Sequence, residues 1–242
     1  MKFSIITACM NSEKTIIKLI ETVNNQTYKN IEHIFIDGHS IDKTKEIIFN
    51  KSKYKFFIQQ TSLGIYGAMN EGIKNSKGDI LVFIGSDDFL SSSDILEKVA
   101  LEFDNATDIV FGNIQYYDFK KKKRHWRSFN SGEYYKGAYS KGWHAPHPAF
   151  FIKKDSILEL FDESCKISAD LKFMFYHQEI LQLKSKHINQ IIVNMGRGGT
   201  SQKFKNIILG NMNIIKALNN YYKINPIFFL IKRFIFKLNA TL

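Results

Sequence analysis

Two adjacent carboxylates, Asp87 and Asp88, follow the apolar run Ile80-Leu81-Val82-Phe83-Ile84 after only Gly85-Ser86. Neighbouring ionised carboxylates repel each other unless a cation sits between or beside them. Hard divalent ions such as Mg2+ or Mn2+ take oxygen ligands and commonly join one or two carboxylates to a substrate's phosphates. The pair therefore points to a metal–diphosphate site. The competing reading is that it only opens a turn and caps a helix near Ser93-Asp94. The run before it is continuous rather than alternating and is flanked by Gly78 and Gly85. It reads as a strand buried on both faces, as in a parallel sheet. Ligands of such sheets bind just beyond the carboxyl ends of the strands.

The elements that must position the pair precede it. Phe3–Ala8 is an apolar strand. Ser12–Gln26 carries Ile16, Ile17, Ile20 and Val23 at helical spacing, with Ser12 as the cap. Glu32–Ile36 is a second strand ending at Asp37-Gly38, and Asp42–Phe49 a second helix. A short strand at Lys55–Ile58 leads to a helix over Ile65, Ala68, Met69 and Ile73 that ends near Gly78. This β-α-β-α-β-α-β order predicts a parallel sheet with helices on both faces.

Beyond about residue 105 the pattern changes. Asp108–Tyr117 and Lys123–Phe129 read as an antiparallel pair, with the basic run Lys120–Arg124 as its exposed tip. Residues 130–147, rich in Gly, Tyr, Ser and His, read as a long functional loop. Phe150–Ile152 is a strand, Ser168–Gln182 a helix and His187–Val193 a strand. Phe204, Ile207, Ile208, Ile214, Ile215 and Leu218 mark an amphipathic helix. With neither repeat nor clean linker, the expectation is one domain over 1–202, in halves 1–105 and 106–202, and a helical extension over 203–242.

A chain of 242 residues can bury a full core, and 44% hydrophobic with 24% charged residues excludes disordered and collagen-like classes. Lys plus Arg number 34 against 23 Asp plus Glu, a net charge of +11. That balance favours an anionic partner: nucleic acid, a phosphorylated metabolite or an acidic membrane surface. The basic residues are scattered apart from one run, so no nucleic acid is expected, although a basic nucleic-acid-binding protein stands as the alternative class. Thr7–Asn11 contains no glycine, which excludes the Gly-x-Gly-x-x-Gly dinucleotide fingerprint after the first strand. Cys9 and Cys165 lie far apart, in keeping with a reducing cytoplasm and with no zinc spacing. The first residues run into a strand without a signal-peptide core, and no segment approaches the roughly 20 apolar residues of a membrane span. A cytoplasmic location is the expectation.

The strand-edge motifs line up. Ile5-Ile6-Thr7-Ala8-Cys9-Met10-Asn11 closes the first strand and Phe35-Ile36-Asp37-Gly38-His39-Ser40-Ile41-Asp42 the second. Gly64-Ile65-Tyr66-Gly67-Ala68-Met69-Asn70-Glu71-Gly72-Ile73 opens the third helix, and Ser86-Asp87-Asp88 follows the fourth strand. In order and spacing they resemble the family 2 glycosyltransferases of GT-A fold, most closely the small bacterial enzymes that build surface polysaccharides. The resemblance covers about residues 3–105 and resumes at His147-Pro148-Ala149-Phe150-Phe151 and at Phe161-Asp162-Glu163-Ser164 through Ile167-Ser168-Ala169-Asp170.

The resemblance implies an α/β, Rossmann-like GT-A fold: a mostly parallel central sheet with helices on both faces, a small antiparallel part and the helical extension. It implies that Thr7 and Ala8 line the nucleotide base through the backbone, that Asp37 contacts base or ribose, and that Asn70 helps hold the donor pocket. Asp87 would face the ribose or donor sugar, Asp88 would ligate Mn2+ or Mg2+ on the diphosphate, and Asp170 matches the catalytic base. The residues alone leave other readings open: Asp37 as a turn former before Gly38, and Asn70 as a helix cap or packing residue. His147, in the segment His144-Ala145-Pro146-His147-Pro148, is either a metal or acceptor contact or part of a rigid turn. Arg197, in Gly196-Arg197-Gly198-Gly199, is a candidate phosphate contact.

The implied reaction is inverting transfer of a sugar from a nucleotide-diphosphate donor, a UDP-sugar, to a hydroxyl of a growing, lipid-linked surface glycan. An inactive scaffold of the same fold is a further alternative. The stretch Pro226–Leu238 clusters Lys232, Arg233 and Lys237 on one arc with large apolar residues opposite. Such a helix can lie in an anionic membrane interface, at the inner face of the cell membrane, or dock on the domain.

Overall fold

A computed structural model describes residues 1–196 and 204–241. β1 (Phe3–Cys9) pairs in parallel with β2 (Ile31–Asp37) and with β4 (Ile80–Phe83), and β2 pairs in parallel with β3 (Lys55–Gln59). Three helices connect them: α1 (Ile16–Asn24), α2 (Thr44–Lys51) and α3 (Gly64–Asn75). The sheet continues past β4 through β8 (Phe150–Lys153), β6 (Ile109–Asp118), β9 (Ser185–Gly196) and the two-residue β5 (Phe89–Leu90). β8 is antiparallel to both β4 and β6, whereas β6 and β9 are parallel. β7 (Lys123–Phe129) forms a hairpin on β6, with Lys120 to Lys123 exposed at its tip.

Alternation along the strands divides the core between the two faces of this sheet. Ile6, Leu81 and Phe83 join α3 residues Tyr66, Met69 and Ile73 in one apolar cluster. Ile5, Ile80, Val82 and Ile84 join Leu19 and Val23 of α1, and Leu96 and Val99 of α4 (Ile95–Glu102), in the other. Period-two alternation with both sets apolar is what a strand covered by helices on each side requires. Phe83, 1% exposed, carries three aromatic contacts at the end of β4. Truncating such a residue to Ala costs about 3–5 kcal/mol.

Ser12 does not cap α1. Its carbonyl accepts from Thr15 and Ile16 N–H, each at 3.0 Å, and its hydroxyl lies 2.8 Å from that of Ser86. The helix therefore begins at Ile16, and the serine ties the loop after β1 to the loop after β4. The short β5 has no counterpart in the sequence reading, because two residues are too few for a periodicity signal.

α5 (Ala169–Phe175) runs into a π turn over Tyr176–Ile180. Two further helices follow, α6 (Phe204–Asn219) and α7 (Pro226–Asn239). α7 starts where Asn225 Oδ1 accepts from Ile227 N–H at 3.0 Å and Phe228 N–H at 3.3 Å, with Pro226 in the first turn. Ile214 and Leu218 of α6 and Phe229 of α7 belong to the same cluster as Phe83. Among the described residues no helix is long and apolar enough to cross a membrane.

Candidate active site

The acidic pair sits at the carboxyl end of β4, in a socket built of backbone. Asp88, 5% exposed, accepts from Gly196 N–H at 2.9 Å on one oxygen and from Gly85 N–H at 3.3 Å on the other. A Cβ on Gly196 would come within 2.5 Å of the Asp87 carbonyl, so only glycine lets the end of β9 approach this closely. Burial pushes both carboxyls above the usual carboxylate range; for Asp88 the charge of Asp87 adds to it, against the two amides. The pair is not the cap of α4, whose N-cap position is Asp94.

This donor set fits a hard divalent cation, because a positive charge relieves the desolvation of both carboxyls and the repulsion that Asp87 adds at Asp88. Among the described residues no three His, Cys, Asp or Glu side chains converge into a protein-only cage. A cation here would therefore complete its shell on a ligand's oxygens and water.

The loops after β1 and β2 meet beside the pair. Thr7 is fully buried, with its hydroxyl 3.0 Å from His33 Nε2, and Ala8 is half-buried at the rim. Burial lowers the His33 imidazole to about 3, so it is neutral in the folded chain. Asp37, 1% exposed, accepts from Ser40 N–H at 3.0 Å and Ser40 Oγ at 2.5 Å, and from Gln59 Nε2 at 3.2 Å. Its carboxylate thus organises the 38–40 turn, which Asn11 joins by accepting from Ile41 N–H at 3.0 Å. Asn70 is likewise taken up by protein. It donates to the Phe161 carbonyl at 2.9 Å and to Glu163 at 2.8 Å, and accepts from Phe161 N–H at 2.9 Å.

One turn earlier on the same face of α3 stands Tyr66, which the sequence reading did not single out. Its ring stacks on Phe161 at 5.8 Å, and its hydroxyl donates to Asp170 Oδ1 at 3.3 Å. Burial and the Asp170 charge push the Tyr66 phenol far up, so it holds its proton. The signal available was spacing: Tyr66 and Asn70 are i and i+4 on one helix and share Phe161 as a partner.

Asp170 opens α5 and lines a cavity of about 710 Å3 together with His147, Met195 and residues of α6 and α7. Asp87 and Asp88 are not on that lining, but Met195 precedes the Gly196 amide that holds Asp88, so the two sites adjoin. His147 stacks on Phe83 at 5.6 Å, and its Nε2 has no hydrogen-bond partner among the described residues. Burial lowers its imidazole despite the opposing charge of Asp170. Arg197 lies outside the described residues.

The Gly- and aromatic-rich segment 130–147 reaches the cavity with its last residues, His144 to His147, and its earlier part is fastened by hydrogen bonds. Gly137 N–H donates to Glu179 at 2.8 Å, Tyr139 OH to Gln178 at 2.6 Å and Trp143 Nε1 to the Ser131 carbonyl at 2.7 Å. α7 also lines the cavity, and it divides the basic arc: Arg233 and Lys237 are on the lining and Lys232 is exposed outside it. Arg233, 8% exposed, points into the cavity with Lys237, while Phe228 and Phe234 on the apolar side are each 64% exposed.

The comparisons agree with this architecture. A protein from Haemophilus influenzae named "Uncharacterized glycosyltransferase" is 33% identical over 121 residues, covering 48% of this chain and 48% of that protein. Glycosyltransferase GlyA of Streptococcus pneumoniae is 31% identical over 127 residues, half of this chain but 18% of that one. The matches thus span about half of these relatives' length or less. Among solved structures, S. aureus TarS 1-349 in complex with UDP-GlcNAc superposes with a TM-score of 0.67 over 99% of this chain and 74% of that chain, at 18% identity. The mannosyltransferase PcManGT from Pyrobaculum calidifontis, in complex with GDP-Man and Mn2+, superposes with a TM-score of 0.65 over 96% of this chain and 68% of that one, at 14% identity. The fold is therefore the GT-A glycosyltransferase fold. The family model described as "Glycosyl transferase family 2" matches residues 4–161, well over half of the chain, and takes in Asp87 and Asp88, the turn at Asp37 and the helix of Tyr66 and Asn70; the chain belongs to glycosyl transferase family 2.

Proposed function

We propose that this chain is an inverting glycosyltransferase that moves a sugar from a nucleotide-diphosphate donor, a UDP-sugar, to a hydroxyl of a surface-glycan acceptor. The observation that carries the reading is the adjacency of two acidic centres: a desolvated carboxylate pair beyond β4, and, across Gly196 and Met195, a cavity on which Asp170 meets Tyr66. Relatives named glycosyltransferase, and neighbours solved with UDP-GlcNAc or with GDP-Man and Mn2+, support the donor class.

In this reading Asp170 removes the acceptor hydroxyl's proton as the oxygen attacks the anomeric carbon. The bond from that carbon to the diphosphate oxygen breaks on the opposite face, which inverts the centre. The chain offers no identified second carboxylate for a covalent sugar intermediate. Tyr66 donates to Asp170 Oδ1, and in this reading the other oxygen takes the proton. Asp88, with Asp87, would hold a Mg2+ or Mn2+ ion, which when bound neutralises the departing diphosphate as a Lewis acid. The turn of Asp37 and the strand end at Thr7 and Ala8 would form the floor for the base, and Asn70 would hold the 161–163 segment that carries Phe161 under Tyr66. The domain over 1–202 would perform the transfer. The extension over 203–242 would close the acceptor cavity and set its outer apolar face in an anionic membrane at the cell's inner surface.

A thermal-shift screen of UDP-, GDP- and dTDP-sugars with and without Mn2+ tests donor and metal together, since a ligand bound only by the folded state raises Tm. A Mn2+-dependent rise with a UDP-sugar is expected in the wild type and in Asp170→Asn, and none in Asp88→Asn. Transfer should fall by about 10^2–10^4-fold in Asp170→Asn, the usual contribution of a general base. Unimpaired transfer in that variant would overturn the assignment.

A further inference from the structure

α7 contributes more than cover. Its Arg233 and Lys237 line the 710 Å3 cavity together with Arg127 of β7. Asp170 is the one carboxylate on that lining among the described residues. No carboxylate ion pair joins any of the three cations among the described residues. Among the described residues the exposed Arg127 donates to the Thr241 hydroxyl at 3.4 Å, and Arg233 to the Gly142 carbonyl at 3.4 Å. Arg233 is 8% exposed, yet its Nε has no partner among the described residues. A buried guanidinium left partly unsatisfied is strongly unfavourable, and an anion in the cavity would satisfy it.

The electrostatics agree with the geometry. Lys237 keeps part of its surface exposed, but desolvation of its ammonium, with Arg233 and Arg127 nearby, lowers it to about 8. Burial, with Arg233 and Lys237, also holds His144 well below the usual imidazole range. Asp170 answers one of the three positive charges, because it favours the charged form of Arg233. A surplus of two remains. A phosphate monoester carries about −1.5 to −2 charges at pH 7, and a carboxylate only one. The guanidinium fork matches phosphate oxygens in a bidentate fashion.

We infer that this cavity is an acceptor subsite for a phosphate group, held by Arg233, Lys237 and Arg127, with the acceptor hydroxyl at the Asp170 end. The inference rests on the proposed transferase reading and names the chemical class of its acceptor. The same helix that supplies Arg233 and Lys237 presents Phe228 and Phe234 outward, so the phosphate can be one carried by a lipid or one on a soluble acceptor.

Calorimetric titration of the full chain in EDTA tests it, because chelation removes the divalent ion that donor diphosphate binding requires. The probes are phenyl phosphate, geranyl phosphate and glucuronate. Both phosphates are expected to bind, glucuronate at least tenfold more weakly. Lys237→Gln and Arg127→Gln, both outside the tightly packed core, should each weaken phosphate binding about tenfold or more, and Asp88→Asn should leave it unchanged. Arg233→Gln should abolish it if that variant folds. Tighter binding of geranyl than of phenyl phosphate identifies a lipid-borne phosphate, and equal binding a soluble one. Absence of phosphate binding, preference for glucuronate, or loss in Asp88→Asn with retention in Lys237→Gln and Arg127→Gln would overturn the inference. A Mn2+-dependent UDP-sugar shift surviving any of those results would leave the transferase reading standing.

Discussion

Asp87 and Asp88 carry a cost that a ligand can reverse. Both carboxyls lie above their ordinary range in the folded chain, chiefly through burial. Above the unfolded value near 4, the folded state therefore holds more protons than the unfolded state. Stability of the metal-free protein should fall as pH rises from about 4 through the raised folded-state values, the opposite of a salt-bridged carboxylate. Asp87→Asn removes the repulsion without disturbing the two amides that hold Asp88. Melting in EDTA at pH 7 should show its Tm raised by about 2–4 °C, the change that ~1 kcal/mol produces in a chain of this size. The pH slope should flatten as well. An unchanged or lower Tm would show that the socket stabilises two negative charges unaided.

At the scale of elements, the docking of α7 depends on one glycine. Gly142 has φ of +89°, and a Cβ there would lie 2.4 Å from Arg233 Cα and 2.8 Å from its backbone nitrogen. Gly142→Ala combines left-handed backbone strain of about 1–3 kcal/mol with a collision that no side-chain rotation relieves. The expected outcome is release of α7 while the sheet stays folded. Hydrogen exchange should then speed up by about tenfold or more in amides 229–240, with β1 and β4 unaffected. Equal protection of those amides in the variant would mean that the helix is held by its apolar contacts at Phe229 and Phe236 and not by the approach at Gly142.

At the scale of the whole molecule, the exposed side of α7 is the feature that the folded chain leaves uncovered. Ile227, Phe228, Ile231, Phe234, Ile235 and Leu238 are each at least half exposed, next to the exposed Lys232 on a chain of net charge +11. An amphipathic helix of this kind partitions into an interface through buried apolar area plus attraction to anionic lipid. Phe228→Asp with Phe234→Asp should lower co-sedimentation with phosphatidylserine-containing vesicles by about tenfold or more, as expected from losing aromatic side chains worth about 1.5–3 kcal/mol each when buried. Solution Tm should stay put, since neither ring is buried in the fold. Equal vesicle binding by the variant would remove the membrane from the proposal.

The sequence by itself determined the alternation of β1 to β4 with α1 to α3, because continuous apolar runs and 3.6-residue spacing are local signals. It determined that Asp87-Asp88 ends the fourth strand and that Asp170 opens a helix, since both follow from where the apolar runs stop. Only the tertiary structure decided that Tyr66 bonds Asp170 across 104 residues of chain, or that Arg233 meets Gly142 across 91. Those pairings depend on how separated elements close on each other, and no window of the sequence contains both members. The tail shows the division most plainly. Its periodicity reveals a basic arc and an apolar arc, but which arc is covered depends on the surface waiting for it. Here the covered stripe is mixed, Phe229, Arg233 and Ala240, because the close approach at Gly142 seats Arg233, while Lys232 and most of the large apolar side chains stay exposed.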